Sequence, residues 1–305
     1  MKGKIIRSTG SWYDILGEDK KRYSARLRGK FKQDDLKVTN PIAVGDNVIF
    51  EDKGDNNFVI TEIEDRENYI IRKSTHKASH AHLIASNIDQ AILVATISRP
   101  RTSLGFIDRF LVSAEAFRIP SVIIFNKNDI LDPEDKELEE AIMYMYREIG
   151  YECFSVSAAL GKGIDELRDK LSGKISLISG HSGVGKSTLL NKIDPSLELK
   201  TGEISDFSQK GTHTTTFAEM FILNEDTFII DTPGIKELGM IDMQKEEISH
   251  YFPEMREELG NCRFNNCLHL NEPGCAVRKK LTSGEISESR YASYLSMLEE
   301  KDSYR

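Results

Sequence analysis

No apolar run in the 305 residues approaches the ~20 residues of a membrane-spanning helix. The run Ala91-Ile92-Leu93-Val94-Ala95-Thr96-Ile97 is only strand length. The N-terminus, Met1-Lys2-Gly3-Lys4-Ile5-Ile6-Arg7, lacks the apolar region of a secretory signal. A cytoplasmic protein that makes no membrane contact is expected. Cysteine is scarce, with four in the chain, and a cytosolic protein does not use so few as a disulfide framework. Cys153 lies in an apolar, strand-like run and is expected in the core. Internal repeats and low-complexity tracts are also missing. What remains is a composition of 39% hydrophobic and 30% charged residues, that of a soluble globular chain with room for two or three domains.

The formal net charge is -8, unevenly spread. Residues 1–40 hold eleven Lys/Arg against five Asp/Glu, whereas residues 237–260 hold two against seven. A basic module on an acidic protein suits a local contact with a polyanion, although a solvated face is the commoner meaning of such a run. Residues 4–7, 12–16, 22–27, 47–51 and 58–63 read as short strands separated by turn signals such as Asn40-Pro41 and Val44-Gly45-Asp46. Five strands of this length fit a small OB-like barrel. Its exposed face could carry Arg26, Arg28, Lys30 and Lys32, with Trp12, Tyr13 and Phe31 interleaved, a mixture suited to RNA. Taken singly, Trp12 and Phe31 are expected in the core, because large aromatics are mostly buried.

Residues 66–82 are polar and basic and read as a linker or mobile loop. His76, His80 and His82 have no cysteine or acid at ligand spacing, so no metal site is expected there. From about residue 84 the pattern alternates. Strands are expected at 90–97, 121–125 and 153–156, and helices at 105–118, 133–150 and 164–171, followed by further strands at 174–179, 217–223 and 227–230. Alternation of this kind implies a mostly parallel sheet with helices on both faces.

Gly180-His181-Ser182-Gly183-Val184-Gly185-Lys186-Ser187 fits the phosphate-loop pattern G-x-x-x-x-G-K-[ST] in full, between a strand and a helix that starts Ser187-Thr188. Glycines let backbone N–H groups close around phosphate oxygens where a Cβ would intrude. The helix N-terminus adds partial positive charge. Lys186 can reach the β- and γ-phosphates, and the Ser187 hydroxyl can ligate Mg²⁺. Asn126-Lys127-Asn128-Asp129 follows the strand at 121–125 and has the N-K-x-D pattern. A carboxylate at Asp129 accepts from guanine N1–H and its 2-amino group, and adenine offers neither donor. Asn126 can brace the loop and the Lys127 stem can lie along the base. Ser155-Val156-Ser157-Ala158 is placed like the element whose backbone N–H, here that of Ala158, meets guanine O6. Asp231-Thr232-Pro233-Gly234 matches D-x-x-G, with Asp231 holding Mg²⁺ through water and the Gly234 N–H facing the γ-phosphate. Gly211-Thr212-His213-Thr214-Thr215-Thr216 lies where a GTPase places its first switch, and Thr215, with Thr214 as the alternative, is the candidate Mg²⁺ ligand.

The order of these motifs is permuted. Ordinary small GTPases run phosphate loop, switch threonine, D-x-x-G, N-K-x-D, S-A-x, but here the last two come first. The D-x-x-G switch therefore leads out of the domain into the C-terminal segment. That segment carries Cys262-x4-Cys267-x-His269-x5-Cys275, three thiolates and an imidazole within fourteen residues. Such a set suits one tetrahedral, structural Zn²⁺ per chain, with no vacant position for substrate. A terminal helix is expected over 285–301.

An OB-like barrel over 1–70, a permuted α/β P-loop GTPase over 71–240 and a small helical zinc-binding unit over 241–305 resemble one family, the ribosome small subunit-dependent GTPase A (RsgA) family. The resemblance implies GTP hydrolysis to GDP stimulated by the small ribosomal subunit late in its maturation, with release coupled to hydrolysis and with barrel and zinc unit on ribosomal RNA. A monomer is expected. Ile235 follows the D-x-x-G element where many GTPases place a water-orienting glutamine, and it cannot orient water. The resemblance assigns that role to His213. It also marks a departure, because Thr212 stands where the family often has arginine.

Two other readings compete. One is an RNA-binding assembly scaffold with GTP as a structural ligand and little regulated turnover, slightly favoured by the missing glutamine and opposed by His213. The other is a P-loop kinase for a small substrate, which the residues from Asn126 to Asp129 argue against.

Overall fold

The computed structural model describes residues 1–28, 40–73, 81–199, 218–231 and 243–302. Five strands, β1 (Lys2–Ser8), β2 (Tyr13–Gly17), β3 (Arg22–Leu27), β4 (Asn47–Asp52) and β5 (Phe58–Ile63), close into a barrel. β1 pairs antiparallel with both β2 and β4, β3 runs parallel to β5, and β4–β5 completes the ring. Alternation places one face of each strand inside. In β2, Tyr13, Ile15 and Gly17 are buried while Asp14 and Leu16 are half-buried. Ile5, Tyr13, Ile15, Ala25, Val48, Phe50 and Ile60 fill the interior.

Two barrel expectations change. Trp12 is 40% exposed, not core, and the Arg26 guanidinium lies 3.9 Å over its ring. It sits just before β2, where alternation does not turn it inward. Tyr13, the next residue, takes the inward place, with its hydroxyl donating to Asn40 Oδ1 at 2.7 Å. Arg26 and Arg28 are exposed. Lys30, Phe31 and Lys32 lie outside the described residues.

The segment read as a linker is structured where it is described. β6 (Tyr69–Lys73) and β7 (Ala81–Ser86) pair antiparallel, with residues 74–80, including His76 and His80, outside the described set. Arg66 is not solvated but forked onto Asp46, with Nε to Oδ1 at 2.6 Å and Nη2 to Oδ2 at 2.7 Å. Asp46 is fully buried and also accepts from Ser86 Oγ at 2.6 Å and Ala43 N at 2.8 Å. These bonds tie the barrel to the hairpin. Gly45, at φ +97°, passes so close that a Cβ would stand 2.1 Å from the Ser86 carbonyl oxygen.

The α/β unit follows with β8 (Gln90–Ala95), α1 (Leu104–Ala116), β9 (Ser121–Phe125), α2 (Pro133–Ile149), β10 (Glu152–Ser155), α3 (Ile164–Leu171), β11 (Ile175–Ser179), α4 (Lys186–Ile193), β12 (Glu219–Ile222) and β13 (Phe228–Asp231). Strand order is β10-β9-β8-β11-β13-β12, parallel except for β12. Every residue of β8 is buried, as a central parallel strand requires. Ala91, Leu93 and Ala95 join a core with Phe110 and Leu111 of α1 and Met143 of α2. Ile92 and Val94 point the other way, to Leu167 of α3 and Leu189 of α4. Period-2 alternation in one strand thus builds both helical layers. The barrel continues this sheet, because β1 pairs with β12 at Arg7 and Glu219.

The C-terminal unit contains α5 (Lys245–Ile248), α6 (Pro253–Arg256), α7 (Ala276–Ser283) and α8 (Glu288–Asp302). Ile248, Phe252, Met255, Tyr294 and Met297 share a core with Val112 of α1. Arg290 on α8 is fully buried, with Nη1 2.8 Å from Asp108 of α1 and Nε 2.7 Å from Glu254 of α6. No helix among the described residues is long and apolar enough to cross a membrane.

Candidate nucleotide site and metal centre

The motif residues that the structure describes converge at the carboxyl ends of β9, β10, β11 and β13. That edge is where open α/β sheets bind ligands. Leaving β11, the chain turns through Gly180 (φ +148°), Gly183 (φ +81°) and Gly185 (φ +92°) before α4 starts at Lys186. A Cβ on Gly180 would stand 2.3 Å from the Val94 carbonyl oxygen, and one on Gly185 2.5 Å from Asn126 Nδ2. Val184 is fully buried and anchors the loop in the core below α4. Ser182 and Gly183 are exposed, and Ser187 is buried one residue into the helix, with Thr188 half-buried beside it.

Lys186 Nζ donates to the carbonyls of Gly180 at 2.6 Å and His181 at 2.8 Å, across its own loop. Burial pulls its pKa down, partly offset by the Asp231 carboxylate. Anionic phosphate oxygens are better partners for this ammonium than the two carbonyls it holds. The His181 ring stacks on Phe106 of α1, with centroids 3.7 Å apart.

Asn126 joins three loops. Its Nδ2 donates to the Val184 carbonyl at 2.9 Å, and its Oδ1 accepts from the Ala158 N–H at 3.0 Å. The side chain is buried. Lys127 takes a left-handed backbone (φ +70°), and its Nζ donates to the Arg99 carbonyl at 2.8 Å. Asp129 is exposed and accepts from Ser157 Oγ at 2.5 Å, and the same hydroxyl accepts from the Leu160 N–H at 3.1 Å. Asn128 turns inward, its Nδ2 donating to Ser155 Oγ at 2.9 Å. The geometry orients a carboxylate at the mouth of the site and braces it from behind.

Asp231 ends β13, in register with Ile178 of β11, and is half-buried. Thr212, His213, Thr214, Thr215, Gly234 and Ile235 lie outside the described residues. Sequence reasoning missed Phe106, Arg99 and Glu139 at the site. Only Glu139 left a signal, as an acid on the apolar stripe of α2 with Met143 and Tyr146.

In the C-terminal segment the ligand atoms of Cys262, Cys267, His269 and Cys275 all lie within 4.8 Å of one another, so the cluster can hold a metal ion. Cys275 Sγ is 3.4 Å and Cys262 Sγ 3.7 Å from His269 Nδ1, and the two sulfurs are 4.0 Å apart. A tetrahedral ion with metal–sulfur bonds of about 2.3 Å has ligand edges close to these. Backbone N–H groups of Ala276 and Arg278 donate to Cys262 Sγ and Cys275 Sγ at 3.3 and 3.4 Å, which favours thiolates. Burial and neighbouring sulfurs push the Cys267 thiol up, and a bound dication reverses that preference. Tyr291 and Tyr294 hydroxyls donate to the carbonyls of His269 and Leu268 at 2.6 and 2.7 Å, pinning the knuckle to α8.

A parallel sheet with N-K-x-D and S-A loops preceding the phosphate loop in the chain, yet meeting it in space through Asn126, defines a circularly permuted P-loop GTPase. Residues 63–241 match the RsgA GTPase family and residues 2–60 the RsgA N-terminal domain. The small ribosomal subunit biogenesis GTPase RsgA of Cytophaga hutchinsonii is 55% identical over 310 residues, covering 100% of both chains. Its Bacteroides fragilis namesake is 51% identical over 302 residues, covering 99% of this chain and 97% of its own. The crystal structure of YjeQ from Thermotoga maritima superposes with a TM-score of 0.81 at 35% identity, covering 98% of this chain and 97% of that one. YloQ, a circularly permuted GTPase, gives 0.77 at 31% identity, covering 100% and 96%. This chain belongs to the RsgA GTPase family, and its enzymatic class is GTP hydrolase.

Proposed function

We propose that this protein binds GTP at the carboxyl edge of its parallel sheet and hydrolyses it on the small ribosomal subunit during late maturation, leaving as hydrolysis proceeds. The carrying observation is the convergence of the guanine loop, the Ser157–Ala158 loop and the phosphate loop through Asn126. It is joined to whole-chain similarity to proteins named as small ribosomal subunit biogenesis GTPases.

In this reading Asp129 selects guanine and the Ala158 N–H meets O6. Asn126, Lys127, Asn128 and Ser157 shape that pocket. The loop from Gly180 to Thr188 cradles phosphate, with His181, Ser182, Gly183, Val184 and Gly185 supplying backbone and Lys186 its ammonium. Ser187, Asp231 and Thr215 are assigned to Mg²⁺, Gly234 to the γ-phosphate, and His213 to the attacking water. Mg²⁺ supplies charge neutralisation at the phosphates when bound. The Cys262/Cys267/His269/Cys275 cluster is assigned one structural Zn²⁺, supported by its three thiols and closed geometry.

The division is barrel 1–70, GTPase unit 71–240 and zinc unit 241–305. The exposed Trp12–Arg26 pair supports an RNA contact on the barrel, because a stacked guanidinium and indole offer a nucleobase both charge and a π-face. The protein acts as a cytoplasmic monomer. Co-sedimentation with purified small subunits tests the reading. Retention with a non-hydrolysable GTP analogue and release with GDP are expected, and equal retention in both states contradicts it. A His213→Ala variant that keeps full stimulated turnover removes that catalytic assignment and leaves the rest standing.

A further inference from the structure

We propose that Glu139 is a positioning residue for guanine recognition, acting through a hydrogen-bonded relay from α2 through Ser155 to Asn128. The proposal rests on the guanine reading of the loop from Asn126 to Asp129, and goes beyond it to what holds that loop from behind.

Glu139 is 5% exposed and lies on the stripe of α2 that also buries Met143 and Tyr146. A carboxylate there is costly to desolvate, and an aliphatic residue of similar size would fill the place at lower cost. Packing alone therefore does not account for an acid. Its Oε1 accepts a hydrogen bond from Ser155 Oγ, and its Oε2 is buried with no hydrogen-bond partner among the described residues. Burial pushes its pKa up, and the Ser155 bond holds it partly back.

Ser155 is the last residue of β10. Having donated its proton to Glu139, its oxygen accepts from Asn128 Nδ2 at 2.9 Å. The backbone N–H of Asn128 donates to the Val156 carbonyl at 3.2 Å. Asn128 is the variable position of N-K-x-D, the one whose side chain the base does not need. Here that side chain is the loop's anchor to the strand and helix behind it. Asp129 is the next residue, and the Ser157 hydroxyl that fixes its carboxylate follows two residues after Ser155. The relay thus restrains both sides of the guanine-selecting carboxylate without touching the nucleotide.

The consequence is a change in base selectivity when the relay is cut. Inosine diphosphate lacks the 2-amino group of guanine, so the ratio of GDP to IDP affinity reads how well Asp129 is aimed. The experiment measures binding of GDP, IDP and ADP to full-length wild type, E139A, E139Q and S155A, with the folded fraction checked by circular dichroism. E139A and S155A are expected to weaken GDP by about three- to tenfold, the size of one hydrogen bond, and to lower the GDP/IDP ratio. E139Q is expected to keep the ratio near wild type, because its amide oxygen still accepts from Ser155. The E139A/S155A double variant is expected to lose no more than either alone.

A wild-type GDP/IDP ratio in folded E139A overturns the relay, as does an E139Q ratio as low as that of E139A. Should E139A fail to fold, S155A carries the same expectation and the same contradiction. A wild type with no preference for GDP over ADP overturns the guanine reading itself, and is told apart because it needs no variant.

Discussion

On the proposed reading, Asp129 is the side chain that selects the base. Its carboxylate is exposed at the mouth of the site and pinned by Ser157 Oγ at 2.5 Å, so it arrives pre-aimed. Asp129→Asn replaces one acceptor with a donor. Guanine affinity is expected to fall at least about tenfold, while xanthine, with an oxygen in place of the 2-amino group, gains. Competition between GDP and XDP checks this, and an unchanged preference contradicts it. Gly185→Ala is expected to abolish nucleotide binding. The new Cβ would stand 2.5 Å from Asn126 Nδ2 at a backbone φ of +92°, displacing the residue that joins the loops. A binding titration alongside a melting curve separates that loss from unfolding. The motif loops that meet at Asn126 were legible in the sequence because phosphate and guanine chemistry permits so few residue types. Trp12 was not, since its burial was inferred from what large aromatics usually do, and its place just outside β2 beside Arg26 decided otherwise.

At the scale of elements, strand and helix periods carried most of the fold. β8 buries alternate residues into opposite helical layers, and α2 begins after Asp132 with Pro133 and ends on left-handed Gly150, signals the chain displays openly. The β6–β7 hairpin escaped because a polar, basic composition was read as solvation. Arg66 instead closes a buried fork on Asp46, a partner twenty residues earlier that no local pattern reveals. The knuckle around Cys262 is too small for a core of its own, and on the proposed reading it depends on the Zn²⁺ assigned to its Cys/His cluster. Chelation is expected to lower the unfolding temperature and release one metal per chain. Acidification is expected to weaken metal binding, since burial already pushes the Cys267 and Cys275 thiols up and protons compete for the sulfurs. Metal release followed with a chromophoric chelator across pH checks the sign, and release that grows with rising pH contradicts it.

Across the whole molecule, barrel and GTPase sheet are continuous through β1 and β12, and the C-terminal unit is locked onto α1. Arg290 is the lock, fully buried between Asp108 of α1 and Glu254 of α6, with Tyr146 of α2 donating to the same Asp108 oxygen at 2.7 Å. Arg290→Ala leaves two buried or nearly buried carboxylates without their cation and is expected to cost about 3–5 kcal/mol. Chemical denaturation measures it, and a loss under about 0.5 kcal/mol, the level of an ordinary surface change, contradicts the lock. The permuted order gives this assembly its direction, for in sequence Asp231 is followed by the Cys/His segment, and no later described residue joins the sheet. On the proposed reading, nucleotide state and subunit contact thereby lie on one covalent path. The most direct test is GTP turnover with purified small ribosomal subunits, with large subunits, and with neither. Strong stimulation by the small subunit alone is the expected result, and equal turnover in all three contradicts the account.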